Sequence, residues 1–194
     1  MINSVCVFCG SSDRLNNNYI EAAYQLGNLL ARRNLQLIYG AGSTGLMGAL
    51  AEGALHGGGK VIGVIPALFN TPVLAHAKLT RLEVVNSIHE RKARMIALGD
   101  AFIALPGGFG TFEELFEVLT WAQIGLHNKP VGLLNTLGYF DPLLGAIQHA
   151  RQEGFIYEEH HSLFTCSSYA EELLEALTNY QPPGGLERWL TRDA

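Results

Sequence analysis

Short apolar runs alternate with stretches of helical spacing along this chain, and that alternation restricts its fold more than any single motif does. The runs fall at residues 4–9, 36–39, 61–65, 81–85, 101–105, 130–134 and 163–166. Helical spacing fills 19–33, then a small-residue stretch to about 55, and then 89–98, about 111–124, 140–153 and 169–178. Strands that alternate with helices pair in parallel, because parallel neighbours need a crossover and such crossovers are right-handed. The expected class is therefore α/β: a doubly wound sheet of about seven mostly parallel strands with helices on both faces. Ligands of such sheets bind beyond the strand carboxyl ends, where the strand order reverses.

Three turns rich in small residues are expected at that edge. Gly10-Ser11-Ser12 ends the first run, Gly40-Ala41-Gly42-Ser43-Thr44-Gly45 follows the second, and Pro106-Gly107-Gly108-Phe109-Gly110-Thr111 follows the fifth. Glycines 107, 108 and 110 let backbone N–H groups approach a ligand, and the helix that starts there adds unpaired donors and the positive end of its dipole. The expected ligand group is an anion. Thr111-Phe112-Glu113-Glu114 also fits a capping box, with Thr111 as the cap and Glu114 reaching back, which needs no ligand at all. A second carboxylate beside the glycines argues for function, since two acids repel an anion unless they serve another part of the ligand.

The chain has 194 residues, 48% of them hydrophobic, enough for one well-buried domain. That domain is expected over residues 1–180, followed by a Pro/Gly-containing tail over 181–194 that Trp189 could pin down. A net charge of −5 without a long basic run argues against nucleic acid and leaves a small molecule as the expected partner. No stretch has the length of a membrane span and no export signal is visible, so a cytoplasmic address is expected. Cys6, Cys9 and Cys166 fit a reducing compartment, and the Cys6-x-x-Cys9 spacing lies in an apolar run rather than at a helix start, against a redox role. His160-His161 lack the spacing that aims two ligands at one metal, so no metal and no cofactor are expected.

Gly40-x-Gly42-x-x-Gly45 matches a dinucleotide fingerprint, but the next run ends in Pro66 where that fingerprint wants an acid for the ribose. A single phosphate held by the glycine turns, with carboxylates for the ribose, suits a nucleoside monophosphate better. An NAD-dependent oxidoreductase is correspondingly disfavoured.

Pro106-Gly107-Gly108-Phe109-Gly110-Thr111-Phe112-Glu113-Glu114 resembles the PGGxGTxxE signature of the LONELY GUY (LOG) family. The stretch from His89 to Met95, reading His-Glu-Arg-Lys-Ala-Arg-Met, resembles that family's second motif. Similarity extends over residues 6–12, 39–48 and 119–134. The resemblance implies a Rossmann-like fold, usually homodimeric, and a phosphoribohydrolase that cleaves the N-glycosidic bond of cytokinin riboside 5′-monophosphates, with AMP accepted by related bacterial members. It also implies that a lysine decarboxylase label, often attached to such chains, is mistaken. Arg91 and Glu114 are then the implied catalytic pair. Lys92, Gly107, Gly108, Gly110, Thr111, Glu113 and Thr120 are the implied lining of the nucleotide site, with Gly10, Ser11, Gly42 and Ser43 as further candidates from the small-residue turns. One departure stands out: an acid common in the family before the Arg-Lys helix aligns with Val73, which puts base preference in question.

Cleaving a ribose–base bond develops positive charge on the sugar and negative charge on the base, so carboxylates near the anomeric carbon and a cation or acid near the base meet the need. Glu113 and Glu114 point about 100° apart on a helix and cannot share one role. Glu113 is expected to hold ribose hydroxyls, and Glu114 to orient or activate water. Arg91 could bind phosphate or assist the departing base. Against this, Glu90 and Arg94 could pair and make the helix a solvated face. A non-catalytic nucleotide carrier or sensor on the same fold is the alternative from another class. Apolar residues wrap far around the 111–124 helix, at Leu115, Phe116, Val118, Leu119, Trp121, Ala122 and Ile124, which suggests a second helical neighbour, here a partner subunit.

Overall fold

A computed structural model of the chain describes residues 1–186; Trp189 lies outside them. Seven strands, β1 (Ser4–Phe8), β2 (Gln36–Tyr39), β3 (Val61–Pro66), β4 (Arg81–Val85), β5 (Ala101–Ala104), β6 (Val131–Leu134) and β7 (Phe164–Ser167), form one sheet in the order β4-β3-β2-β1-β5-β6-β7. Every pairing is parallel. The chain winds outward from β1 to β4, crosses back, and winds outward again from β5 to β7. The order therefore reverses between β1 and β5, which pair from Val5↔Ala101 to Phe8↔Ala104.

Among the described residues six α-helices cover the sheet: α1 (Asn17–Arg32), α2 (Gly45–His56), α3 (Ile88–Leu98), α4 (Phe109–Gln123), α5 (Asp141–Gln152) and α6 (Ala170–Thr178). Side chains alternate across each strand, so the sheet feeds two cores. Val5 and Val7 of β1 pack with Leu26, Leu30, Leu50 and Leu173 of α1, α2 and α6. Cys6 and Phe8 pack on the other face with Met95, Leu115, Val118 and Phe140. Full burial of a leucine stabilises by about 1.5–3 kcal/mol, so strands buried on both faces hold the site's scaffold firmly. Cys6 and Cys9 are divided between these two cores, and burial raises both thiols far above their usual range. Among the described residues no helix is long and apolar enough to cross a membrane.

Two irregular stretches are tied to the body of the fold. Residues 67–80, which lack periodicity and read as a mobile loop, are docked on the turn after β2: His76 N–H donates to the Ala41 carbonyl at 2.9 Å, Ser43 N–H to Leu74 at 3.0 Å and the Ser43 hydroxyl to Val73 at 2.8 Å. His76, nearly buried, also meets Glu52 of α2 at 3.2 Å. Of the expected tail only residues 181–186 are described, and there Leu186 is buried with Ala122 and Leu163.

The edge strand β4 exposes Leu82 and Val84, and an ionic cluster lies beside them: Arg94 grips Glu83 through Nε at 2.6 Å and Nη2 at 3.1 Å, and Arg81 pairs with the same carboxylate. Charged side chains on an edge discourage further strand pairing. Glu90 is thus free of Arg94; it accepts from Asn86 N–H at 2.9 Å while Ser87 caps Glu90 N–H at 3.1 Å.

Candidate active site

The reversal in strand order opens a cleft of about 490 Å³ above the carboxyl ends of β1 and β5. The turns that follow the two strands are laced together at its floor. Leu105 N–H donates to Phe8 at 2.9 Å, and Gly10 N–H donates to Pro106 at 3.1 Å. Gly10, Ser11 and Ser12 line one side, and Pro106, Gly107, Gly108, Gly110 and Thr111 the other.

Helices α2 and α4 both start beside the cleft, and their first-turn donors differ in availability. At α2 the Leu46 and Met47 N–H groups already donate to the Gly10 carbonyl, at 3.1 and 3.3 Å. At α4 the cap is Gly108, with no side-chain cap hydrogen bond. The capping box is therefore corrected: α4 begins two residues before Thr111, which lies buried inside the first turn, and Glu114 is not spent on the backbone. Uncapped N–H groups and the dipole end make the start of α4 the place where an anion fits. Gly107 has to be glycine, since a Cβ there would stand 2.0 Å from the Thr111 hydroxyl and 2.9 Å from Gly10 N.

Arg91 and Glu114 meet across the cleft. The Arg91 side chain leaves α3, donates from Nε to the Val64 carbonyl at 3.2 Å, and from Nη1 to Glu114 Oε1 at 3.1 Å. The Glu114 side chain is 7% exposed and that of Arg91 13%. Burial pushes the Glu114 carboxyl up from its usual range, and the Arg91 guanidinium opposes that rise. The result is a largely desolvated carboxyl group, paired with Arg91 and with Lys92 also opposing its rise, at the wall of the cleft beside the glycine turn.

The other expected site residues lie elsewhere. Lys92 is buried beside Arg91 but on the flank between α3 and α4, gripping Glu113 and, at 3.2 Å, Glu117. Burial alone would lower the Lys92 ammonium; its hydrogen bonds to the two glutamates hold it above its usual value. Glu113 and Thr120 are exposed on α4, outside the cleft. Gly42 and Ser43 sit under the docked 67–80 segment, where Gly42 bridges Ala75.

Sequence reasoning missed the aromatic wall. Tyr139 and Tyr19 line the cleft with Leu15, their rings edge to face at 6.0 Å, and the Tyr139 hydroxyl donates to the Gly107 carbonyl. Tyr139 also stacks on Phe112 at 6.4 Å. The only signal was its position just after β6, at the same sheet edge. Met47, packed against the core, lines the cleft as well, and Tyr39 is fully buried.

Residues 47–177 match the family model described as "Possible lysine decarboxylase". The chain is 48% identical to the cytokinin riboside 5′-monophosphate phosphoribohydrolase LOG7 of Arabidopsis thaliana, over 92% of this chain and 82% of that protein. It is 48% identical to the probable enzyme of the same name, LOGL9, of Oryza sativa subsp. japonica, over 92% of this chain and 78% of that one. Among solved structures, a molybdenum cofactor binding protein from the phototrophic bacterium Rippkaea orientalis superposes with a TM-score of 0.70 at 25% identity, covering 92% of this chain and 96% of that one. A molybdenum cofactor carrier protein from Chlamydomonas reinhardtii gives 0.69 at 20% identity, covering 93% and 98%, which is a likeness of fold. The glycine turn, the Arg-Lys helix and identity near one half over almost the whole chain lead to one conclusion: this protein belongs to the LONELY GUY family.

Proposed function

We propose that the protein is a phosphoribohydrolase that cleaves the N-glycosidic bond of nucleoside 5′-monophosphates, cytokinin riboside 5′-monophosphate or AMP, to free base and ribose 5-phosphate. The observation that carries this reading is the Arg91–Glu114 pair at the wall of the cleft, beside the uncapped start of α4. The names of relatives at 48% identity support it.

In this reading the phosphate sits on the Gly107–Thr111 turn, held by backbone N–H groups, and places the ribose against Glu114. A water adds to the anomeric carbon as the bond to the base breaks. Its proton passes to Glu114, and the base leaves with the bonding electron pair and takes up a proton. Burial suits Glu114 to this task, because a general base works best with a pKa raised toward the working pH. Arg91 aims the carboxylate and opposes the rise that burial causes. Lys92 fixes Glu113, and Glu113 and Thr120 would reach substrate at the edge of the site, where a second chain packs.

A homodimer is part of the proposal. Phe116 and Ile124 of α4 remain 43% and 39% exposed in the single chain, together with Phe109 at its start, as the apolar excess on this helix leads one to expect. Light scattering that returns twice 21.1 kDa supports the dimer, and a mass of one chain refutes it. A cytoplasmic address is proposed on the three free cysteines, Cys6, Cys9 and Cys166.

A carrier that binds the nucleotide without cleaving it remains the second reading, favoured by the likeness to the Rippkaea orientalis protein. Incubation with AMP and with a cytokinin riboside 5′-monophosphate, followed by chromatography for free base, separates the two. Base release supports the hydrolase, and intact nucleotide recovered from the protein supports the carrier.

A further inference from the structure

The Arg91 guanidinium reaches Glu114 only by passing over the end of β2. The residue beneath it is Gly40, which is buried. A Cβ built on Gly40 would lie 1.7 Å from Arg91 Nη2, 2.9 Å from its Cζ and 3.3 Å from its Nε. These three are the nearest atoms to such a Cβ, and all belong to the end of one side chain. Nor does Gly40 have a positive φ, so the backbone conformation itself does not require glycine.

We infer that Gly40 is a positioning residue: its missing side chain forms the slot in which the Arg91 guanidinium lies between the Val64 carbonyl and Glu114. The slot explains an otherwise costly arrangement. Arg91 arrives from α3, its hydrogen-bond partners belong to β3 and α4, and the planar guanidinium needs a flat, open floor to satisfy both. A methyl group on that floor would displace the guanidinium end, Nη2 above all, and so break its aim at Glu114, with the backbone left in place. Gly40 thus belongs to the reaction through Arg91, whereas the dinucleotide fingerprint would have assigned it to a ligand phosphate.

The inference deepens the hydrolase reading, and its test is a double-mutant cycle of Gly40→Ala with Arg91→Ala, read by AMP hydrolysis and by melting temperature. Gly40→Ala alone is expected to lower kcat roughly ten- to a hundredfold, the cost of a displacement of about 1 Å at a reacting group. It should also raise the pH at which activity is lost on the acid side, since Glu114 loses its cation. In the Arg91→Ala background the same substitution should cost nothing further in kcat and less in melting temperature than it does in the wild type. If Gly40→Ala fails to fold, folding of the double variant supports the slot, because the obstructed side chain is gone. Failure of both to fold overturns it, as does an equal cost in both backgrounds or wild-type activity of Gly40→Ala. Should the wild-type protein release no base, the hydrolase reading fails, and the melting-temperature cycle alone decides the role of Gly40.

Discussion

Arg91 Nη1 lies 3.1 Å from Glu114 Oε1, and this contact joins two helices that precede and follow β5. It sets the charge of the carboxylate against its burial. Desolvation raises the Glu114 pKa and Arg91 pulls it back, leaving a net rise. A base must be ionised to act, so activity falls as pH drops through that raised value. The acid limb of kcat/KM should therefore stand above the usual carboxylate range, and Arg91→Ala should move it higher still. Rate profiles of the two proteins across the acid range check this; an acid limb that does not move in Arg91→Ala counts against the pairing. Glu114→Gln, which removes charge but little volume, should lower kcat by roughly a hundredfold or more with the fold retained.

Gly108 and Gly110 lie on the cleft wall, yet a Cβ at either would meet nothing within 4 Å. The space they leave open is the space a phosphate would take. Alanine at either position should fold normally and raise KM for AMP at least severalfold. Gly110→Ala, inside the first turn of α4, should gain up to about 1 kcal/mol of stability from helix propensity. Gly107→Ala should instead destabilise, because its Cβ collides with Thr111. Thermal melts beside KM measurements separate the two behaviours, and unchanged KM values for both alanine variants would argue that no ligand approaches there.

Tyr139 holds the glycine turn through its hydroxyl and walls the cleft with its ring. Tyr139→Phe should raise KM for AMP by several-fold, about the loss of one hydrogen bond of roughly 1 kcal/mol, while kcat changes little. Tyr139→Ala should be worse in both. A Phe variant with wild-type KM would show that the hydroxyl does not order the turn.

His127 offers a test of stability away from the cleft. Its Nε2 lies 2.9 Å from the Val118 carbonyl and its Nδ1 accepts from Lys129 N–H at 3.1 Å, so the ring is held neutral. Burial lowers its pKa, against the Val118 carbonyl. A histidine with a lowered folded pKa binds more protons when unfolded, so the stability it contributes is present above its usual value of 6.5 and is lost as pH falls below it. His160 is lowered by burial too and acts in the same direction. The melting temperature should fall from about pH 7 to about pH 5, and His127→Gln should flatten that slope. An unaltered slope would contradict the assignment.

Much of this fold was legible because the inner strands β1, β2, β3, β5 and β6 are largely buried and read as apolar runs, and the edge strands β4 and β7 keep enough apolar residues to be read with them; the described strands start and end within two residues of the runs. The start of α4 was misread for a specific reason. Thr111-Phe112-Glu113-Glu114 satisfies the capping-box pattern, but the helix begins at Phe109 on a glycine cap, and Glu114 turns to Arg91 instead. Local pattern lost to a contact with residue 91, which no local pattern contains. The docking of residues 67–80 was hidden for a related reason: two of its ties, His76 N–H to Ala41 and Ser43 N–H to Leu74, run between backbone groups, which carry no residue signature. Tyr139 and Tyr19 were missed because aromatic residues outside a glycine motif read as core, and only the parallel winding brings them to the same edge.

Release of free base from a nucleoside 5′-monophosphate tests the central claim most directly. Purified protein is incubated with AMP, with a cytokinin riboside 5′-monophosphate and with adenosine, and the products are separated by chromatography. The account predicts free base and ribose 5-phosphate from at least one monophosphate, and almost none from adenosine, because the turn at the start of α4 holds the phosphate. Equal kcat/KM for AMP and adenosine, or nucleotides recovered intact, would contradict it.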